Sequence, residues 1–244
     1  MEDTKAWFES WFDTPYYHIL YAHRNDSEAQ AFIDRLVDHL QPPAGIQLLD
    51  VACGKGRHSN YFAEKGFRVD GIDLSPENIR YAREHAAAGT QFFIRDMRST
   101  NEENRYEWVV NLFTSFGYFD TPAENKKVLQ EIYRALKPGG TFIFDYLNPH
   151  FVRRNLQQTS YTEKGNVQIR TRKSEQDGHV VKEICVRDGD KDLRFEEKVK
   201  LLEPALLRSW LEETGFTIVE TWGDYTLSPL LEHASPRSVF YARK

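Results

Sequence analysis

The spacing of apolar positions changes twice along the chain. Up to residue 40 it is helical: Trp7, Phe8, Trp11 and Phe12 recur at i, i+1, i+4 and i+5, and Phe32, Ile33, Leu36, Val37 and Leu40 form a second stripe. Ser27-Glu-Ala-Gln30 reads as a capping box opening that second helix, and Pro42-Pro43 ends it. From Gly45 short apolar runs alternate with amphipathic segments. Strands are expected at Ile46–Val51, Phe67–Asp73, Gln91–Arg95, Tyr106–Thr114 and Thr141–Leu147. Between them, helices are expected at Arg57–Lys65, stopped by Gly66, from the Ser75 cap and Pro76 to Gly89, and from the Thr121-Pro-Ala-Glu124 capping box to Leu136. Lys137-Pro-Gly-Gly140 reads as a turn, and the strand after it is apolar throughout, as a strand covered on both faces should be. This alternation predicts a parallel sheet with right-handed crossovers.

Then the period drops to two. Val167, Ile169 and Thr171, the hairpin turn Asp177-Gly178, and Val180, Lys182, Ile184 and Val186 follow one another. After Gly189, Leu193, Phe195, Glu197, Val199 and Leu201 alternate with Arg194, Glu196, Lys198 and Lys200. An antiparallel meander with one wet face is expected, inserted after the fifth strand. A helix over Pro204–Thr214, stopped by Gly215, and two strands, Phe216–Trp222 and Ser238–Ala242, complete the main sheet.

A chain of 244 residues suits one domain with a small appendage, and a net charge of −5 tilts against a nucleic-acid partner. Two cysteines, Cys53 and Cys185, lie far apart in no metal-type spacing, which fits a reducing compartment. The acidic start lacks the features of a secretory signal, and no run of about 18 apolar residues occurs, so neither export nor a membrane span is expected. The expectation is a cytoplasmic protein, monomeric or homodimeric, without a metal.

The chemistry concentrates in Leu48-Leu-Asp-Val-Ala-Cys-Gly-Lys-Gly-Arg-His-Ser59. A strand runs into Asp50, then Gly54-Lys-Gly56, then a helix whose first amides are free. Such glycines either let a ligand approach the backbone or merely form a tight turn. Two further strand ends favour the ligand. Asp73, 19 residues after Gly54, closes the second strand where a carboxylate can accept from both hydroxyls of a ribose. Asp96-Met97 closes the third, offering an acceptor for an exocyclic amine and a flat apolar face for a base. All three converge at the carboxyl edge of the sheet.

The Asp50-x-x-Cys-Gly54-x-Gly56 pattern resembles motif I of class I S-adenosylmethionine (SAM)-dependent methyltransferases. Asp73 and Asp96-Met97 match the acidic second strand and adenine-contacting turn of that class, and Leu136-Lys-Pro-Gly-Gly-Thr-Phe-Ile-Phe144 matches its fifth strand. Tyr16-Tyr-His-Ile-Leu-Tyr21, Asn111-Leu-Phe-Thr-Ser-Phe-Gly-Tyr118 and the inserted meander are similar, more narrowly, to amino-sugar N,N-dimethyltransferases and glycine N-methyltransferases. The resemblance implies an α/β, Rossmann-like, seven-stranded, mostly parallel sheet with helices on both faces, an N-terminal helical lid over residues 1–40, a SAM-binding domain over 41–150 and 203–244, and an inserted antiparallel β-subdomain over 151–202. It implies SAM, with S-adenosylhomocysteine (SAH) as product, and a small-molecule acceptor.

On that footing the cofactor-binding candidates are Tyr17, Tyr21, Arg24, Asp50, Ala52, Cys53, Gly54, Gly56, Arg57, Asp73, Leu74, Asp96, Met97, Leu112 and Phe113. Tyr17 and Tyr21 suit core packing as well as a ligand, Arg24 suits a carboxylate or plain solvent, and Cys53 is a small packed residue rather than a nucleophile. Tyr118 and His150 are the catalytic candidates, the latter as a general base or a solvated loop histidine. A dinucleotide fingerprint would need a third glycine where Ser59 stands, which disfavours a dehydrogenase. A non-catalytic SAM-binding sensor remains the alternative.

Overall fold

The computed structural model describes residues 11–21, 26–156 and 159–244. Its elements are α1 (Pro15–Leu20), α2 (Asp26–Leu40), β1 (Gln47–Val51), α3 (Arg57–Glu64), β2 (Arg68–Asp73), α4 (Pro76–Glu84), β3 (Thr90–Ile94), β4 (Tyr106–Asn111), α5 (Pro122–Ala135), β5 (Leu136–Leu147), α6 (Pro149–Arg154), β6 (Ser160–Lys164), β7 (Val167–Gln176), β8 (His179–Asp188), β9 (Lys191–Lys200), α7 (Pro204–Thr214), β10 (Thr217–Trp222) and β11 (Arg237–Arg243). Seven strands form one sheet in the order β10-β11-β5-β4-β1-β2-β3, parallel except for β10 and β11. The order reverses beside β1, and ligands in open α/β sheets bind outside the strand ends at such a point.

Successive residues of β1 face opposite sides of the sheet. Leu49 and Val51 join one core with Val128 and Ile132 of α5 and Leu207 and Leu211 of α7. Leu48 joins the other, with Phe32, Ile33 and Leu36 of α2 and Phe62 of α3. Both faces are therefore covered, which explains the absence of polar alternation in the parallel strands.

The insertion is a second, wholly antiparallel sheet, β6-β7-β8-β9. Its apolar face, Ile169, Ile184 and Val186, is covered by Trp11 and Leu20, with Phe12, Tyr16 and Tyr17 packed around them. The N-terminal segment thus packs on the inserted sheet. Trp7, Phe8 and Arg24 lie outside the described residues.

Several boundaries differ from the sequence expectation, each for a physical reason. Helix α2 is already formed at Asp26, so Ser27 lies in its first turn rather than at its cap. Helix α4 ends at Glu84, where His85 leaves helical geometry, not at Gly89. Strand β4 stops at Asn111 because Phe113 and Thr114 adopt φ of +58° and +64°. The insertion has a fourth strand, β6, that shows only weak patterning. Leu136 pairs with Tyr106 and Thr141 with Trp108, so residues 137–140 loop out of β5 as the expected turn.

Candidate active site

A crevice of about 1020 Å³ opens at the carboxyl ends of β1, β2, β3 and β4. Tyr17, Tyr21, Asp50, Ala52, Cys53, Gly54, Arg57, Asp73, Leu74, Asp96, Met97, Leu112, Phe113 and Tyr118 all line it.

Two glycines after β1 do different work. Gly54 has φ of +56°, and a side chain there would point into open space within the crevice. Gly56, at φ of +80°, is not among the lining residues; a Cβ there would fall 2.6 Å from the Phe92 ring. At Gly56 the missing side chain lets α3 start against β3. Cys53 is likewise packed, among Ile79, Ala82 and Phe92. Burial pushes its thiol well up, which rules against a nucleophile.

Three carboxylates mark the strand ends. Asp50 is fully buried and accepts from Ser59 Oγ at 2.6 Å. Burial pushes its carboxyl up to about 7, the Ser59 hydrogen bond opposing. Asp73 accepts from the Gly54 N–H (Oδ2, 2.9 Å) and the Ser75 N–H (Oδ1, 2.9 Å), so it folds the glycine loop as well as lining the crevice. Its carboxyl is raised by burial, those amides opposing. Asp96 is also desolvated, yet the Arg98 guanidinium, donating to both its oxygens with Nη2 at 2.7 Å, holds it below the usual range. Asn78 lines the crevice with a buried Oδ1 that has no hydrogen-bond partner among the described residues.

The segment after β4 is fixed from across the sheet. Asp145, fully buried near the end of β5, accepts from the Phe113 N–H at 2.6 Å, from Tyr225 Oη at 2.9 Å and from Arg237 Nε at 2.8 Å. Arg237 Nη2 also donates to Thr114 Oγ1 at 2.8 Å. Left-handed backbone at two consecutive non-glycine residues costs on the order of 1–3 kcal/mol each, so these bonds hold Phe113 and Thr114 in place. Phe113 stacks on His58, with ring centroids 4.8 Å apart, and Tyr118 donates to the Thr114 carbonyl at 2.7 Å.

The roof contains an unforeseen charged group. Glu197 of β9 accepts from Trp11 Nε1 at 2.6 Å and from Tyr21 Oη at 2.7 Å, and pairs with Lys182 Nζ at 3.0 Å. Lys182 also contacts Tyr21 Oη. Although buried, Glu197 is held below the usual carboxylate range, chiefly by Lys182. Its acid at an apolar register of the alternating strand was the one available signal; Asn78, Lys173, Tyr225 and Arg237 gave none.

His150 is not among the lining residues of the crevice. Its Nε2 lies 3.1 Å from Glu203 and its ring stands edge-on to His233. Among the described residues no group of three or more His, Cys, Asp or Glu side chains could hold a metal, and no helix is long and apolar enough to cross a membrane.

The fold is similar to that of a SAM-dependent methyltransferase from Clostridium acetobutylicum, which superposes with a TM-score of 0.78, covering 93% of this chain and 95% of that one at 20% identity. Residues 48–140 match the methyltransferase-domain family model. A putative methyltransferase of Bacillus subtilis is 36% identical over 106 residues, 42% of this chain and 43% of the relative. The dTDP-3-amino-3,4,6-trideoxy-α-D-glucopyranose N,N-dimethyltransferase of Streptomyces venezuelae is 31% identical over 103 residues, again 42% and 43%. The match spans less than half the length of these two relatives.

Proposed function

We propose that this protein transfers a methyl group from SAM to a nitrogen or oxygen of a small molecule. The observation that carries this is the convergence of Asp50, Asp73 and Asp96 around the open side of Gly54. The site fits the cofactor on its own terms: three strand-end carboxylates supply acceptors, Gly54 leaves room beside the backbone, and the orphaned Asn78 Oδ1 awaits a donor. Asp50 would stand toward the amino-acid end of the cofactor, Asp73 at its ribose, and Asp96 and Met97 at its adenine. When bound, SAM supplies a methyl group already activated on a sulfonium.

The chain's own contribution is placement and exclusion of water. The Phe113 and Tyr118 rings offer faces that suit a cation. Phe12, Tyr17 and Tyr21 close the crevice from the N-terminal side, and Val180, Lys182, Glu197 and Val199 close it from the inserted sheet. Aligning the two reactants can lower the barrier by roughly 7–11 kcal/mol in favourable cases. An amine acceptor needs no strong base, which accords with His150 lying elsewhere. A crevice roofed this way suits a small acceptor better than nucleic acid, and we place the reaction in the cytoplasm, in a monomer or homodimer.

Calorimetry tests the reading. SAH is expected to bind and NAD is not; tight NAD binding without SAH binding would overturn it. A pH dependence is also expected. In the free protein Asp50 titrates at about 7, and a cation held near it favours the ionised form. Below about pH 7 binding must therefore release a proton, so affinity should climb by up to roughly tenfold per unit from about pH 6 to pH 7 and then level off. SAH binding that is flat across that range would exclude a bound cation at Asp50. A sensor that binds SAM without turnover is separated by methyl release with a panel of amines and alcohols.

A further inference from the structure

The acceptor half of the crevice carries a charge imbalance. Lys173 of β7 and Lys182 of β8 are directly paired, and Lys182 is paired with Glu197 of β9. Residues opposite one another in an antiparallel sheet share a face, with Cβ atoms about 4.5–5.5 Å apart, and like charges so placed repel. All three side chains line the crevice, so the row presents two cations and one anion to it.

The anions of the inserted sheet and of β5 are already taken, while Glu28 lines the crevice on the side of Tyr225 and Arg237. Glu197 is engaged by Trp11, Tyr21 and Lys182. Asp145 is engaged by Phe113, Tyr225 and Arg237, and Arg237 itself reaches the crevice wall. Glu175, two residues along β7 from Lys173, pairs with Arg153. The Lys173 side chain is exposed to the crevice and has no hydrogen bond or ion pair with any described residue. The carboxylates Asp50, Asp73 and Asp96 lie at the strand ends of the main sheet, on the cofactor side. The row on the inserted sheet thus carries a net positive charge, while the carboxylates at the strand ends share their side with Lys55, Arg57 and Arg95.

We propose that the methyl acceptor carries an oxyanion, a carboxylate or a phosphate, that docks on Lys173 beside Lys182. This rests on the methyltransferase reading and adds the acceptor's charge to it. An oxyanion there relieves the repulsion between the paired lysines and gains charge-assisted hydrogen bonds. Its fixed distance from the cofactor side would also orient the nucleophile. Neutral amines and alcohols lack this anchor.

The test uses the full chain with SAH and two probes, acetate and inorganic phosphate, titrated at constant ionic strength. The readout is the lysine ammonium NMR signal of Lys173, assigned by its loss in Lys173→Gln. The signal is expected to shift and saturate with one of the probes, and calorimetry should show that probe binding roughly tenfold more weakly to Lys173→Gln. Saturation by acetate identifies a carboxylate, by phosphate a phosphate. A Lys173 signal that moves with neither probe, or equal affinity in wild type and variant, overturns the proposal. SAH affinity, measured on the same samples, should be unchanged in Lys173→Gln. Repeating the anion titration without SAH separates the two readings: absent SAH binding sinks the cofactor assignment, whereas absent anion binding sinks only this one.

Discussion

Replacing Arg237 by alanine is expected to lower the free energy of unfolding by about 3–5 kcal/mol, the cost of stranding a buried charge. Asp145 is fully buried and receives the Arg237 guanidinium at 2.7 Å. Without Arg237 the carboxylate keeps only the Phe113 amide and the Tyr225 hydroxyl, neither of them charged. Thr114 loses its side-chain partner at the same time, and the left-handed pair Phe113–Thr114 is then less well held. For a chain of this size each kcal/mol moves Tm by roughly 2–4 °C, so a fall on the order of 10 °C is expected by thermal melting. Arg237→Lys should recover part of the loss, since it restores the charge but not the fork that reaches both Asp145 and Thr114. A change in stability below about 1 kcal/mol for Arg237→Ala would show the pair to be as weak as an exposed one.

Asp73→Ala should weaken SAH binding by about tenfold to a few hundredfold, because hydrogen bonds to a charged group contribute roughly 1.5–3 kcal/mol each. The same carboxylate accepts from the Gly54 and Ser75 amides and so shapes the loop between β1 and α3. Alanine leaves both donors without that partner, and a stability loss of about 1–3 kcal/mol should accompany the loss of affinity. Asp73→Asn keeps one oxygen to accept with and should sit between wild type and alanine on both scales. Calorimetry and urea denaturation on the same three proteins measure the two effects. If Asp73→Ala binds SAH like wild type while folded, the carboxylate does not touch the cofactor.

The seven-stranded sheet was legible because each of its strands is a short apolar run bounded by glycine, proline or a helix cap, and because Leu48 and Leu49 must each find a core. The gathering of Asp50, Asp73 and Asp96 at one crevice was legible for the same reason: these carboxylates stand at strand ends, where chain position and spatial position coincide. What local pattern could not show was set by distant partners. Leu112-Phe-Thr114 continues the apolar run of β4, yet the chain leaves the sheet there because Asp145, 32 residues beyond Phe113, captures its amide. Trp11 and Tyr21 look like core aromatics until Glu197, 186 and 176 residues away, takes their polar atoms. His150 follows β5 as a site residue would, but Asn148 accepts from its backbone amide at 3.1 Å and starts α6, which directs the ring to Glu203.

The Glu197 carboxylate also bears on how the crevice can open. Its donors come from the first described segment of the chain and from a strand inserted late in it, and the apolar contacts of that segment run the same way, to Ile169, Ile184 and Val186. The two parts of the roof are therefore fastened to each other as well as to the sheet domain below, where Ser75 Oγ donates to Asp13 and Tyr146 Oη to the Lys200 carbonyl. Any opening wide enough to exchange a cofactor has either to break a buried ionic cluster or to tilt both parts as one rigid flap. Tilting keeps that cluster intact and gives up only the separate contacts to the sheet domain, so the two parts are expected to move together.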